Sequence, residues 1–341
     1  MATTVLVTGA TGFLGGNVLT AVAALPDVTV VAACRRPARL PAGFDGEVRA
    51  GDLDDPAYRR QVVKGVDVVC HTASAASMWG HPCEERERFL APAVDFVDRA
   101  VEAGVGRFIL AGTVAMSPPP EGGAPLDDGA ETRHSGFWPH LDRLIDLDRH
   151  MAAKAGQGTQ MVLLRLGHFV GVGNSVGLVP ALVPRLRTRL VPWLDRGRRR
   201  LPLVADTDLA AAFALAATAP GLADYESFHI VGPELPTLRE VIDHIAVTRR
   251  LPPAVGQRPP APRVRGPRPD GEVAPRPARP LALPHPLHRL PLRGLVLHQR
   301  PRRPDPGLRA PERLAPRGRR AAPGPGRRRL PLAPPVPVLT P

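Results

Sequence analysis

Near the N-terminus the chain reads Val5-Leu6-Val7-Thr8-Gly9-Ala10-Thr11-Gly12-Phe13-Leu14-Gly15-Gly16, and no other stretch limits its fold so strongly. An apolar run is followed by glycines spaced G-x-x-G-x-x-G and then by an apolar helical pattern. At a strand-to-helix turn Gly9 permits the sharp bend, Gly12 lets the backbone approach a pyrophosphate, and Gly15 lets the helix lie close to the strand. The helix N-terminus then aims its free N–H groups at phosphates. Glycines also mark ordinary turns, but the context here is a buried strand at Val5–Val7 and a helix over Asn17–Leu25 that Pro26 closes. A nucleotide cofactor is therefore expected at this turn, touched by Gly9, Thr11, Gly12, Phe13, Leu14 and Gly15.

Strand-like runs recur at Val28–Ala33, Val66–His71, Arg107–Gly112 and Met161–Leu166. Helical patterns lie between them at Pro56–Val63, Phe89–Ala103 (stopped by Gly104) and Leu141–Ala155. Short buried strands alternating with helices predict a parallel sheet with right-handed crossovers. Beyond Leu166 the pattern is less regular: helices at Val179–Leu190, Leu209–Ala219 and Leu238–Val247, and strands at Leu201–Val204 and Phe228–Val231. The fold expected is α/β, a Rossmann-type doubly wound parallel sheet with a small C-terminal substrate lobe and a disordered tail. The division expected is a dinucleotide-binding domain over 1–165, a substrate lobe over 166–250 interleaved with it, and a tail over 251–341.

Composition separates the tail from the rest. Residues 251–341 hold 25 of the 43 prolines and 19 arginines, with no Lys, Phe, Trp or Tyr and only four acids, for a net charge of +15. The chain total of +13 leaves −2 for residues 1–250, so the basic balance says nothing of the folded part. Such a tail lacks the apolar periodicity that offsets ordering entropy, and its prolines block helices and central strands. Charge alone would let it bind nucleic acid or an anionic membrane, but it has no aromatics for base stacking and no amphipathic helix, so neither partner is expected. Lys64 and Lys154 are the only lysines, which fits a GC-rich coding sequence. Read out of frame, such a gene yields Arg, Pro, Ala, Gly and Leu. Our hypothesis is that the native frame is lost near Arg250; the same tail in an intact frame from independent isolates would exclude it.

Cys34, Cys70 and Cys83 have neither metal-ligand spacing nor the number for a disulfide framework, so no metal is expected. The N-terminus runs directly into a strand with no signal-like or transmembrane stretch, making the cytoplasm the expected compartment.

Several further motifs, in this order, resemble the extended short-chain dehydrogenase/reductase family, also called the NAD-dependent epimerase/dehydratase family, over roughly residues 3–247. Gly51-Asp52-Leu53 resembles its acidic turn after the third strand, where the Asp contacts adenine. His71-Thr72-Ala73-Ser74 resembles the H-x-A-A strand end beside the cofactor. Leu110-Ala111-Gly112-Thr113 resembles the strand end with the catalytic Ser or Thr. Arg165-Leu166-Gly167-His168-Phe169-Val170-Gly171 resembles the segment on the nicotinamide side, and Val204-Ala205-Asp206-Thr207-Asp208-Leu209-Ala210 the late V-x-x-x-D-x-A motif. The resemblance implies that Asp52, Leu53, Thr72, Ala73, Ser74, Gly167 and His168 help bind the cofactor. It also implies a homodimer through the Phe89–Ala103 and Leu141–Ala155 helices, although their apolar residues equally suit the core, and a lobe cut short where the tail begins.

An acid about 20 residues beyond the glycine turn would bind the ribose 2′-hydroxyl of NAD and repel a 2′-phosphate. Here Cys34 stands at that place, followed by Arg35 and Arg36, whose guanidinium groups suit a phosphate dianion. NADP(H) is the expected cofactor, with NAD the alternative if the two arginines are a solvated loop. The family's Tyr-x-x-x-Lys pair is missing. Tyr58 is followed four residues on by Val62 and Tyr225 by His229, while His140 and Leu144 stand where the pair should be. Three readings stay open: His140 is the proton donor, since imidazole titrates near neutral pH; His140 packs or caps the start of its helix; or the site only binds nucleotide. Thr113 is the matching position for holding a substrate carbonyl, or else a strand-end cap.

Ser77, Met78, Trp79 and His81 are candidates for a substrate mouth or plain loop residues. Arg185, Arg187, Arg189 and Arg198–Arg200 would suit an anionic substrate, but a charge run more often is a solvated face. The function expected is an NADP(H)-dependent oxidoreductase acting on a carbonyl or secondary alcohol of a small molecule. The alternatives are an NAD(P)-dependent sugar-nucleotide epimerase/dehydratase and a non-catalytic nucleotide-binding sensor.

Overall fold

The computed structural model describes residues 2–74, 81–118, 131–175, 177–188, 191 and 193–251. The expected tail beyond Leu251, the candidates Ser77, Met78 and Trp79, and Arg189 lie outside the described residues.

Seven parallel strands form the main sheet: β1 (Thr3–Thr8), β2 (Val28–Cys34), β3 (Glu47–Ala50), β4 (Val68–His71), β5 (Arg107–Thr113), β6 (Gln160–Leu166) and β9 (Tyr225–Ile230), in the order β3-β2-β1-β4-β5-β6-β9. Chain order reverses between β1 and β4, and the crevice beyond the strand ends at such a reversal is where open α/β sheets bind ligands. Alternate strand residues supply the two faces. Val5, Val7, Ile109, Val162 and Leu164 pack with the helices α1 (Phe13–Ala23) and α7 (Asp206–Thr218). Leu6, Phe108, Leu110, Met161 and Leu163 pack with α2 (Pro56–Val62), α4 (Ala91–Glu102) and α5 (Pro139–Lys154). Burial on both faces explains why the strands read as continuous apolar runs.

A third, smaller cluster joins Leu182 and Leu186 of α6 (Leu178–Arg187) to Leu238, Val241 and Ile242 of α8 (Leu238–Thr248). Beside it β7 (His168–Val170) pairs with β8 (Leu203–Ala205). A capping box starts α8: the Thr237 hydroxyl accepts the Glu240 N–H, and Glu240 accepts the Thr237 N–H. Among the described residues no helix is long and apolar enough to cross a membrane.

Three elements have no counterpart in the sequence pattern. The edge strand β3, Glu47-Val48-Arg49-Ala50, is polar and forms through pairing with β2. The three-residue β7 is too short for a period. The third is α3 (Pro82–Glu85), joined to α4 by a wide turn over Arg86–Leu90 in which the Ala91 N–H reaches back to the Arg86 carbonyl. Pro92 has no N–H for an ordinary helical bond to Arg88, and its ring crowds that carbonyl. The single wide turn accommodates it, so the helix expected at Phe89–Ala103 begins regularly only at Ala91.

Candidate functional site

At the reversal between β1 and β4 lies a cavity of about 490 Å³. One wall is the β1–α1 turn. Gly9 has φ +66°, a conformation side chains disfavour, and its carbonyl accepts the Gly12 N–H at 2.8 Å. A Cβ on Gly15 would stand 2.2 Å from the Gly9 oxygen and 2.7 Å from the Thr72 hydroxyl, so only glycine lets α1 start this close to the sheet. Gly12 is the N-cap and offers no side-chain cap, which leaves the first-turn N–H groups for a ligand. Phe13 stacks on Phe169 with centroids 6.3 Å apart, tying this turn to β7.

The cavity's end beyond β2 is formed by Cys34, Arg35, Asp52, Leu53 and Tyr58. No acid stands at the end of β2. Arg35 lies 3.7 Å from Asp52 with its side chain 71% exposed, and Arg36 is exposed beside it, off the cavity wall. The Tyr58 hydroxyl donates to the Arg49 carbonyl, and burial pushes its pKa up to about 12. It is neither free nor acidic enough to give a proton at neutral pH.

The floor is the end of β4, where Thr72, Ala73 and Ser74 line the cavity. Thr72 donates to the Thr8 carbonyl at 2.7 Å, and the Thr8 hydroxyl accepts the Ala73 N–H at 3.3 Å. His71 lies beneath, its Nδ1 2.9 Å from the Thr8 hydroxyl and its ring against Phe96 and Phe108. Burial lowers its pKa to about 4, so it is neutral at physiological pH.

His140 is the second residue of α5 and is buried, its side chain 8% exposed. Its Nδ1 is 2.9 Å from a Glu85 carboxylate oxygen, and its Nε2 is 3.5 Å from the Ser74 hydroxyl. The Phe89 ring, itself on the cavity wall, covers the imidazole with centroids 4.5 Å apart. Leu144, at the family's lysine position, is in the core and brings no amine. The other tyrosine, Tyr225, donates to Asp148. Thr113 ends β5, and its hydroxyl accepts the Ala115 N–H at 3.3 Å, capping a short helical turn over Val114–Met116. Its hydroxyl hydrogen remains able to donate. Thr113, His140, Gly167 and His168 stand off the cavity wall. Gly167 is held by its N–H to the Ile230 carbonyl at 2.9 Å, and a Cβ there would meet the Pro202 oxygen at 2.2 Å.

The sequence reading missed Glu85. It lies in the run Glu84-Glu85-Arg86-Glu87-Arg88, which reads as a solvated face, and only α3 turns it inward to 5% exposure. Arg185, Arg187 and Arg198–Arg200 are exposed, with Asp195 paired to Arg198 at 2.9 Å. Among the described residues no group of three His, Cys, Asp or Glu side chains could hold a metal ion.

The tight glycine turn and the uncapped helix start fit a dinucleotide pyrophosphate, since they leave first-turn N–H groups beside the cavity with no side chain over them. Comparison with known proteins agrees. The chain is 28% identical over 286 residues to a 3 beta-hydroxysteroid dehydrogenase/Delta 5-->4-isomerase of Mycobacterium tuberculosis, covering 77% of this chain and 72% of that protein. It is 25% identical over 269 residues to a 2-alkyl-3-oxoalkanoate reductase of Shewanella oneidensis, covering 74% and 68%. Among solved structures, MoeE5 in complex with UDP-glucose and NAD superposes with a TM-score of 0.61 at 21% identity, over 74% of this chain and 84% of that one. Thermus thermophilus UDP-glucose 4-epimerase complexed with NAD gives 0.59 at 19%, over 73% and 84%. Residues 5–230 match the sequence model of the NAD dependent epimerase/dehydratase family, and with the glycine cradle in place the chain belongs to that family.

Proposed function

We propose that the protein is an NADP(H)-dependent oxidoreductase that interconverts a ketone and a secondary alcohol on a small, largely apolar molecule. The observation that carries this reading is His140: a buried imidazole at the family's tyrosine position, with Nε2 turned toward the cavity-lining Ser74. The named activities of the two curated relatives, a hydroxysteroid dehydrogenase and an oxoalkanoate reductase, support a hydroxyl or carbonyl on an apolar skeleton.

The nicotinamide, when bound, supplies or accepts the hydride. The first turn of α1 holds the pyrophosphate through its N–H groups, with Gly9, Gly12 and Gly15 giving the close approach. Asp52 and Leu53 meet the adenine, and Arg35, with Arg36 behind it, meets the 2′-phosphate. The Thr113 hydroxyl orients the substrate oxygen, and His140 provides the proton in reduction or removes it in oxidation.

His140→Phe tests the reading with NADPH binding and turnover measured together. Turnover is expected to fall about a hundredfold, the usual scale of positioned proton transfer, with NADPH affinity unchanged. Turnover equal to the parent would remove His140 as the acid. Conversion of a UDP-sugar without net NADPH consumption would replace the oxidoreductase reading with an epimerase.

A further inference from the structure

We propose that Ser74, His140 and Glu85 form a proton relay in which Ser74 Oγ touches the reacting oxygen, His140 exchanges the proton behind it, and Glu85 is the positioning residue. The inference rests on the oxidoreductase reading and deepens it, because His140 is off the cavity wall while Ser74 is on it.

The order of groups is fixed by what each can donate. A carboxylate only accepts, so the 2.9 Å contact with Glu85 puts a hydrogen on His140 Nδ1. Nε2 is then the nitrogen that gains and loses the working proton, and it faces the Ser74 hydroxyl at 3.5 Å. A base oriented by a third group on its far side is the arrangement that activates hydroxyls in other enzymes, and the near contact commonly tightens only when substrate binds.

A fastening of α3 to α5 would not need these groups. A buried ion pair is seldom more stabilising than apolar side chains of the same volume, and Phe89 already packs between these elements. Glu84 and Glu87, on either side, are exposed; Glu85 alone of the three turns in.

In the reducing direction the carbonyl carbon gains a hydride from reduced nicotinamide, and the carbonyl π pair moves onto oxygen. That oxygen takes the Ser74 hydroxyl proton while Ser74 Oγ takes the Nε2 proton. His140 ends neutral with its Nδ1 hydrogen kept, no proton passes to Glu85, and water returns one proton through Ser74 after the alcohol leaves. Oxidation runs the same transfers backward.

The test uses the full chain carrying ¹⁵N-labelled histidine, with His140→Gln identifying the signal. At a pH where the ring is neutral, hydrogen on Nδ1 is expected in the parent and in Ser74→Ala. Glu85→Leu is expected to move it to Nε2; Glu85→Met, which keeps the length without a strong acceptor, covers the case that Glu85→Leu fails to fold. This readout needs no substrate, and hydrogen on Nε2 in the parent overturns the proposal. Turnover of ethyl 2-methylacetoacetate with NADPH forms the second arm. Ser74→Ala and Glu85→Leu are each expected to lower kcat about a hundredfold, and Glu85→Leu, whose site is off the cavity wall, to leave the KM for NADPH unchanged. If Ser74→Ala matches the parent while His140→Phe is inactive, the relay is wrong and His140 acts directly. If His140→Phe also matches the parent, the oxidoreductase reading of His140 fails with it.

Discussion

Where β1 meets α1, the cavity wall is backbone; at the end of β4 and at the wide turn leading into α4, the wall is side chain. The first half presents glycines and uncapped N–H groups, and its shape follows from how closely main-chain atoms approach. The second half presents Ser74, Phe89 and, behind them, His140 and Glu85, held by contacts between segments 55 and 66 residues apart in sequence. The difference teaches what each half tolerates. The backbone wall has no room for a side chain at Gly15, whereas a side-chain wall can lose its chemistry and keep its fold.

The largest effect should come from breaking the backbone half. In Gly15→Ala the new methyl would stand 2.2 Å from the Gly9 oxygen, an atom already committed to the Gly12 N–H. Neither partner can withdraw, and we expect a loss of roughly 3 kcal/mol in urea unfolding together with loss of NADPH binding. Gly16→Ala, one residue on, is the control. Its methyl would meet nothing nearer than the Ala10 oxygen at 3.5 Å, and helix propensity favours it by about 0.5–1 kcal/mol. Equal stability of the two variants would show that close approach does not shape this wall.

Beneath the join of the two halves, His71 offers a smaller and pH-dependent break. Its folded pKa of about 4 lies below the ordinary 6.5, so the unfolded chain binds the proton first as pH falls. The contribution is therefore fully present above pH 6.5 and drains away as pH drops toward 4. At pH 5 we expect the parent to have lost about 2 kcal/mol through this group relative to pH 7. Urea midpoints of the parent and His71→Asn at both pH values isolate it: the variant should lose less on acidification. Parallel pH dependence in the two proteins would mean that His71 is not buried as described.

These contrasts also explain what could be read from the amino acids. The glycine turn, the strand ends at His71–Ser74 and Thr113, and the alternation of parallel strands with helices were legible because backbone geometry leaves few choices of residue at those places. The edge strand β3 was not, since Glu47 and Arg49 give it no apolar run. Glu85 was hidden for another reason: it sits in the four-residue α3, and no period of so short a segment distinguishes it from Glu84. His140 was visible as a departure from the family pattern, but its partners were not, because they come from α3 and the end of β4.

The smallest expected effect concerns the cavity's end beyond β2, where an exposed side chain is the proposed discriminator. Arg35 is 71% exposed and its 3.7 Å approach to Asp52 is loose, so Arg35→Asp should change stability by less than about 1 kcal/mol. Toward cofactor the same change should matter more. It replaces a cation with an anion beside Asp52, which repels the 2′-phosphate and leaves a carboxylate able to accept from a ribose hydroxyl. Paired fluorescence titrations should show NADPH weakened about tenfold, which is about 1.4 kcal/mol, with NADH held or improved. The parent's preference for NADPH should shrink as salt rises, because the arginine and phosphate meet in solvent where ions screen them. If the parent binds the two dinucleotides equally and the variant does the same, Arg35 is a solvated side chain.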